Sequence, residues 1–491
     1  MSIRWETCAP GFDGALHAFD PAAAASAAVP AKENLSRTVV PCEIAGRRAF
    51  LKIHRSRSGW ERLKQALAPK ARLEARLAGR LRTLGISAPE PLAWGVDATA
   101  SYLLTRELES AVPLERVGAS AALARTLGTL MARLHKAGLW HPDLHAGNLL
   151  VTTAPDAKPW LTVADLPSAR LIPEMPRRLA VRALAMLAAS LPLFRPADLL
   201  RALKAYRGGS GMSRKSRRKL IHLVLAEREG IWNRHWRSRT RRCMRTTGAF
   251  LASPGMVRRR DVSEETVRAA VTAHREALAG TGTSRLLKRD RKTSLSLGGG
   301  LSVKAFLGDR ARRSWMGANA LWERDCPTAR PLAWVREGRD SFLVTGDLSS
   351  TAREMDRWVT ERWKGLPASG RRRFLADLAA AFRKLGERAV WPGDAKACNL
   401  FVREKDGGFE FLLVDTDGVR QKRPSTAALA RTLTQLHLST PRRIGRTERA
   451  RFLRGLAGKQ WKSYARLVLR MSRRSAILFQ SDGGDVQEPQ P

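Results

Sequence analysis

"LWHPDLHAGNLLV", residues 139–151, packs His141, Asp143, His145 and Asn148 into one polar knot that runs straight into the apolar, strand-like Leu149, Leu150 and Val151. Asp143 and Asn148 lie five positions apart. The same pattern returns further along the chain. "WHPDLHAGNLLV" is echoed by "WPGDAKACNLFV", which sets Asp143 against Asp394 and Asn148 against Asn399, each at an offset of 251. Downstream, "LTVADLPSAR" aligns with "FLLVDTDGVR", so Asp165 faces Asp415. Upstream, "AFLKIH" aligns with "LSVKAF", so Lys52 faces Lys304. Ala88–Trp94 (APEPLAW) matches Thr328–Trp334 (TARPLAW), and Ser101–Leu108 (SYLLTREL) matches Ser341–Leu348 (SFLVTGDL), both 240 positions apart. Ordered matches at a nearly constant spacing indicate an internal duplication. Two homologous units, residues 1–235 and 236–491, are expected, each of ordinary domain size.

Within the first unit, alternation and β-branched residues predict a hairpin over Thr38–Ile53, with its turn at Ala45–Arg48. Leu73, Leu77, Leu81 and Leu84 recur at helical spacing over Pro69–Leu84, and Gly85 supplies a stop. SYLLT reads as a strand. Ala121–Lys136 reads as a helix with Leu123, Leu127, Leu130 and Leu134 on one face. After the polar knot come LLV, a turn around Ala154–Pro159, the strand Trp160–Ala164 and a mostly helical remainder over Met175–Ile231. A small β-rich lobe with one helix, followed by a helical lobe carrying a polar loop and a short hairpin, is an α+β bilobal kinase-like fold, here in two tandem copies.

Phosphoryl transfer needs positioning and charge neutralisation more than covalent chemistry. A strand lysine can neutralise the α- and β-phosphates of ATP while a helix carboxylate holds it; Lys52 and Glu74 have that order. A loop aspartate, Asp143, can orient an acceptor hydroxyl and take its proton. Magnesium favours hard oxygen ligands, available from the Asn148 amide and the Asp165 carboxylate. Each residue taken alone reads as a turn residue, a cap or a solvated side chain. The ordered and repeated conjunction reads as a nucleotide site. His141 and His145 read as braces of the loop rather than metal ligands.

The motifs resemble those of the lipopolysaccharide core (Kdo/heptose) kinase family within the protein-kinase-like superfamily. "WHPDLHAGNLLV" resembles its H-x-D-L-H-x-x-N loop, a form also found in aminoglycoside phosphotransferases. "ADLPSARL" and "VDTDGVR" resemble its metal-binding D-x-x-x-x-R segment, and "RARRSWMGANALWERDCPTARPLAW" resembles the helix leading to its lobe boundary. The resemblance implies ATP-dependent, magnesium-assisted phosphorylation of a sugar hydroxyl on lipopolysaccharide core or a lipid A-linked sugar, at the cytoplasmic face of the inner membrane.

Several positions depart from the pattern. No glycine-rich motif precedes Lys52, where NLSRTVV supplies Asn34, Ser36 and Thr38. The Gly298–Gly300 run just before LSVKAF is better placed to cover phosphates. Ser314 stands where the first unit has Glu74, and Pro392 where it has His141. Asp394, Lys396 and Asn399 instead keep the D-x-K-x-x-N form of protein kinases, in which the lysine meets the transferring phosphate. A competent first unit and a weaker or scaffolding second unit are expected, with Asn399 and Asp415 as the second unit's metal ligands.

The charge bears on partners. The chain carries 88 Lys+Arg against 45 Asp+Glu, a net charge of +43. Such a surface attracts anionic membrane, phosphorylated glycolipid or nucleic acid. The densest stretch, Met212–Arg245, holds twelve basic residues and two acids, Glu227 and Glu229. Five widely spaced cysteines, with no CxxC, argue against a disulfide framework or zinc site. The N-terminus has no apolar signal core, and Leu179–Phe194, interrupted by Arg182, is too short to span a bilayer. Two other readings remain open: a protein serine/threonine or small-molecule kinase, and a non-catalytic pseudokinase docking on membrane or nucleic acid.

Overall fold

The computed structural model describes residues 3–34, 36–56, 58–152, 159–191, 193–208, 213–473, 479–480 and 486–487. The turn expected around Ala154–Pro159 lies outside the described residues, apart from Pro159. The chain divides into two compact units, Met1–Trp232 and Asn233–Pro491.

In the first unit, strands β1 (Arg4–Thr7), β2 (Lys32–Asn34), β3 (Arg37–Ile44), β4 (Arg47–Arg55), β5 (Pro91–Val96) and β6 (Ala100–Arg106) form one antiparallel sheet in the order β1-β5-β6-β4-β3-β2. The β3–β4 turn is Ala45–Gly46, both at positive φ, as a two-residue hairpin on right-twisted strands requires. Alternation along β4 sends Ala49, Leu51 and Ile53 into the core with Val40, Leu92 and Leu104, which leaves Lys52 and His54 together on the other face. Short helices α1 (Asp13–His17), α2 (Pro21–Ala27) and α3 (Gly59–Leu67) accompany the sheet, in addition to the expected long helix α4 (Lys70–Thr83).

The buried face of α4 is Ala71, Glu74, Ala75, Ala78 and Leu81. Leu73 and Leu84, expected on the inward face, are exposed. Ala71 and Ala75 pack closely on Trp94 and Leu103, where small side chains fit best, while Ala78 and Leu81 join the core of the helical lobe.

The second lobe of this unit is built on α5 (Ala121–Lys136). Its N-cap Ser120 accepts a hydrogen bond from the Leu123 N–H at 3.0 Å, and Leu123, Leu127, Leu130 and Leu134 are all buried. Each such leucine contributes roughly 1.5–3 kcal/mol of burial free energy. Strands β7 (Val112–Pro113), β8 (Leu139–Trp140), β9 (Leu149–Thr152), β10 (Trp160–Val163) and β11 (Arg170–Leu171) frame the polar knot in two small sheets, β10-β9-β7 and β11-β8. Helices α6 (Arg177–Ala189), α7 (Pro196–Gly208) and the part of α8 (Arg214–Arg242) up to Trp232 complete the described helical part, the rest of α8 belonging to the second unit. The apolar run considered as a span is thus mostly α6, and among the described residues no helix is long and apolar enough to cross a membrane.

The second unit repeats this plan. Strands β12 (Phe250–Ser253), β13 (Met256–Arg259), β14 (Arg285–Arg289), β15 (Thr293–Gly298), β16 (Leu301–Leu307), β17 (Pro331–Glu337) and β18 (Asp340–Gly346) form a sheet in the order β12-β13-β17-β18-β16-β15-β14. With β12 removed, that is the first unit's order. Even the irregularity recurs, between Pro91 and Ala93 in one unit and between Pro331 and Ala333 in the other. The N-terminal segment, which has no sequence match, has a structural one: α9 (Glu264–Ala279) fills the interval between β13 and β14 that α1 and α2 fill between β1 and β2. After α10 (Arg310–Trp322) come β19 (Arg353–Glu354), α11 (Met355–Arg362), α12 (Ala368–Glu387), β20 (Leu400–Lys405), β21 (Gly408–Leu413), α13 (Thr426–Ser439), α14 (Arg446–Ala457) and α15 (Trp461–Ser472). Trp315, Trp363, Phe374 and Phe382 anchor the second unit's cores.

Candidate active site

In the first unit Lys52 Nζ donates to Glu74 Oε1. His54, two residues along the same strand face, brings Nε2 to 3.6 Å from Glu74 Oε2. The Leu166 N–H donates to Glu74 Oε1 at 3.3 Å, so the helix carboxylate also holds the backbone next to Asp165. Burial pushes the Glu74 carboxyl upward. The Lys52 ammonium with its hydrogen bond, and His54 close by, outweigh it and hold the pKa at about 2. Burial pushes His54 down despite that carboxylate.

Asp165 has φ +62°, a left-handed conformation that costs a non-glycine residue on the order of 1–2 kcal/mol. Its Oδ1 accepts from Arg37 Nη1. Burial raises the Asp165 carboxyl, but Lys52 and Arg37 together hold it below its usual range, so it is ionised at neutral pH.

The polar knot is braced as its histidines predict. The Asp143 N–H donates to His141 Nδ1 at 3.2 Å, and the Gly147 N–H to His145 Nδ1 at 3.0 Å. His145 Nε2 lies 3.8 Å from Asp143 Oδ2. Asn148 Nδ2 donates to the Asp143 carbonyl at 2.9 Å, and the Ala164 N–H to the Asn148 carbonyl at 2.9 Å. Asn148 is buried, whereas the Asp143 side chain is two-thirds exposed. Bonds thus link Lys52 to Glu74 and on to the residue after Asp165, and link Asp143 to Asn148 and on to the residue before Asp165.

In the second unit Ser314 occupies the helix position of Glu74, and its buried Oγ has no hydrogen-bond partner among the described residues. Lys304 Nζ instead meets Asp415 Oδ1 directly, at 3.0 Å. Small residues let α10 approach that segment. A Cβ on Gly317 would fall 2.0 Å from the Thr416 carbonyl, and Thr416 Oγ1 donates to the Ser314 carbonyl at 2.9 Å. Lys396 Nζ lies 3.1 Å from Asp394 Oδ2. The loop scaffold is duplicated in detail. The Ala146 N–H donates to Ser190 Oγ and the Ala397 N–H to Ser439 Oγ, both at 2.8 Å. A cleft of about 770 Å³ includes Gly298, Lys304, Asp347, Asn399 and Asp415 in its lining.

Gly299 and Gly300 form the β15–β16 turn, both at positive φ, the counterpart of Ala45–Gly46. Gly300 accepts from the Asp347 N–H at 2.9 Å, which ties the run to the segment just after β18 that leads out of the sheet. The hairpin turn two strands before α10 is the one between β14 and β15, where Asp290 Oδ1 accepts from the Lys292 and Thr293 N–H groups at 2.8 Å. In the first unit Arg37 opens β3, the strand that corresponds to β15. Sequence reasoning passed over Arg37 and His54. Arg37 has no motif to mark it, but the alternation of β4 placed His54 beside Lys52.

Asn148 has its amide nitrogen committed to Asp143, and Oδ1 carries no hydrogen bond among the described residues. With the ionised Asp165 carboxylate it offers the hard oxygen donors that suit magnesium. Among the described residues no group of three or more His, Cys, Asp or Glu side chains could hold a metal ion.

Two small-lobe sheets of the same strand order, each followed by a helix and a helical lobe bearing a D-x(4)-N loop, define a tandem protein-kinase-like phosphotransferase. The chain belongs to the Lipopolysaccharide kinase (Kdo/WaaP) family, whose model matches residues 32–206 and again 301–468; it is a kinase, and that family implies use of ATP. No curated protein matches the chain. Among solved structures it is similar to WaaP in complex with acyl carrier protein, at 24% identity over 46% of this chain and 98% of that one, with a TM-score of 0.36. It is also similar to an aminoglycoside-3'-phosphotransferase of type VIII, at 15% identity over 44% of this chain and 98% of that one, with a TM-score of 0.32. A third is spectinomycin phosphotransferase in complex with ADP and spectinomycin, at 10% identity over 36% and 72%, with a TM-score of 0.28.

Proposed function

We propose that the chain phosphorylates a sugar hydroxyl of the lipopolysaccharide core, or of a lipid A-linked sugar, at the cytoplasmic membrane face, with the first unit as the catalytic one. The observation that carries the assignment to this unit is the Lys52–Glu74 pair and its bond to the backbone beside Asp165. Lys52, fixed by Glu74, neutralises the α- and β-phosphates. Arg37, at the start of β3 and bonded to Asp165, adds a second cation where glycine amides would otherwise act. Asp143 is exposed at the lip of the loop, so an incoming hydroxyl can reach it; the carboxylate orients that hydroxyl and accepts its proton as the new P–O bond forms and the bond to the β-phosphate oxygen breaks. Asn148 and Asp165 would hold magnesium, which supplies charge neutralisation on the phosphate oxygens. Asn399 and Asp415 would do so in the second unit, where Lys304 is the phosphate cation and Lys396 sits beside the Asp394 carboxylate.

Lys304 has lost its helix carboxylate and leans on Asp415, the would-be metal ligand, so the second unit binds nucleotide or acceptor more than it turns over. Mass spectrometry of core glycolipid from cells with and without the chain tests the acceptor, and an unchanged phosphate count would refute it. Asp143→Asn and Asp394→Asn test the asymmetry. The first should cost about 100-fold or more in turnover and the second far less; equal losses would remove the distinction.

A further inference from the structure

Helix α3, Gly59–Leu67, is amphipathic the wrong way round. Trp60, Leu63 and Leu67, at i, i+3 and i+7, share one face, and they are 64%, 52% and 75% exposed. The buried residue of the helix is polar: Gln65, whose Oε1 accepts from Ser56 Oγ at 3.0 Å. That bond fixes the rotation of the helix and turns the apolar ridge outward. A cation stands beside the ridge, within a basic stretch of sequence. Lys64 Nζ lies 5.2 Å from the Trp60 ring centroid, and Arg55–Arg82 holds nine basic residues against Glu61 and Glu74.

We infer that the outward ridge of α3, Trp60, Leu63 and Leu67, is the element that seats this kinase in an anionic lipid bilayer. This rests on the reading of the chain as a kinase of a lipid-linked sugar. A second copy of the chain would set one cationic face against another across the ridge, with the +43 net charge opposing it. An anionic bilayer has the complementary sign. An exposed ridge of about 10 Å also suits a deformable interface, with the apolar edge among acyl chains and the tryptophan and basic groups among headgroups. Because α3 joins the strand of Lys52 to the helix of Glu74, seating it brings the bilayer to the lobe that carries the phosphate cations.

The test is flotation of the full chain with vesicles of phosphatidylglycerol and phosphatidylcholine, and with phosphatidylcholine alone. The wild-type chain should float with the mixed vesicles only. Trp60→Ser, Leu63→Gln and Leu67→Gln combined should lower that partition by about tenfold or more, with circular dichroism and ATP turnover on a soluble acceptor unchanged. Equal flotation of the triple variant would overturn the inference, leaving diffuse charge as the attraction. So would a concentration-dependent dimer in sedimentation that the triple variant abolishes without altering flotation. Ridge-dependent flotation with an unaltered core glycolipid would sink the proposed acceptor and leave the membrane seat standing. Phosphorylation of that glycolipid without ridge-dependent flotation would do the reverse.

Discussion

Lys52 and His54 sit two residues apart on one strand and so reach the same carboxylate from one side. Lys52→Met leaves Glu74 buried beside a largely neutral His54. A buried carboxylate robbed of its cation is expensive, on the order of 3–5 kcal/mol when nothing replaces the partner. The variant should therefore lose both turnover and stability, whereas Lys52→Met combined with Glu74→Gln should regain much of the melting temperature but none of the activity. Calorimetry beside a labelled-ATP assay separates the two effects. Arg37→Ala should weaken nucleotide binding by about tenfold through loss of one charge-assisted contact, measured by titration calorimetry; unchanged affinity would leave Arg37 as a mere clamp on Asp165. Lys52, Glu74, Asp143, Asn148 and Asp165 could be picked out of the sequence because their order, and for all but Glu74 their repetition, is one-dimensional. Arg37 could not, since its meeting with Asp165 joins residues 128 positions apart that no local pattern links.

Helix α5 was readable because leucine recurs on its buried face. On α4 the same rule picked Leu73 and Leu84, since alanine and glutamate do not register as an inward face. Close packing, rather than side-chain hydrophobicity, chose that orientation. Glycines report the same constraint. A Cβ on Gly128 of α5 would lie 2.0 Å from the Ala202 carbonyl of α7, whereas one on Gly79 of α4 would meet nothing within 4 Å. Gly128→Ala should therefore destabilise the first unit by about 1–3 kcal/mol, and Gly79→Ala should stabilise it by roughly 0.5–1 kcal/mol. Denaturant midpoints of the two variants, compared with the parent, check both signs. The small residues Ser314 and Gly317 are the element-scale counterpart of the second unit's altered lysine pair, a trade that a residue-by-residue alignment shows only as a missing glutamate.

At the scale of the whole chain, the repeat was legible from matched peptides, while the extra strand β12 and the equivalence of α9 with α1 and α2 were not, because those segments share topology without sequence. Acid should weaken both units. Burial pushes His135 down to about 4, and burial with the neighbouring Arg449 does the same for His437. Both bind protons more weakly folded than unfolded, so their stabilisation is complete above about pH 6.5 and is lost as pH falls toward 4, on the order of 2–4 kcal/mol for a shift of this size. Glu74 adds a further loss between 4.5 and about 2. Melting temperature should be flat above pH 7 and fall steadily below 6.5.

Helix α8 sets a practical limit on dissecting such a chain. Leu220 and Val224 belong to the first unit's core, and Trp232 Nε1 donates to the Ala189 carbonyl. Trp236 and Thr240, also buried, meet Arg324 of the second unit. Scission between Leu220 and Trp232 would strip the first unit of core residues, and scission between Trp236 and Thr240 would strip the second of its Arg324 contacts, so fragments cut there would misreport what either half can do, and silencing one cleft at a time within the uncut polypeptide becomes the sounder route.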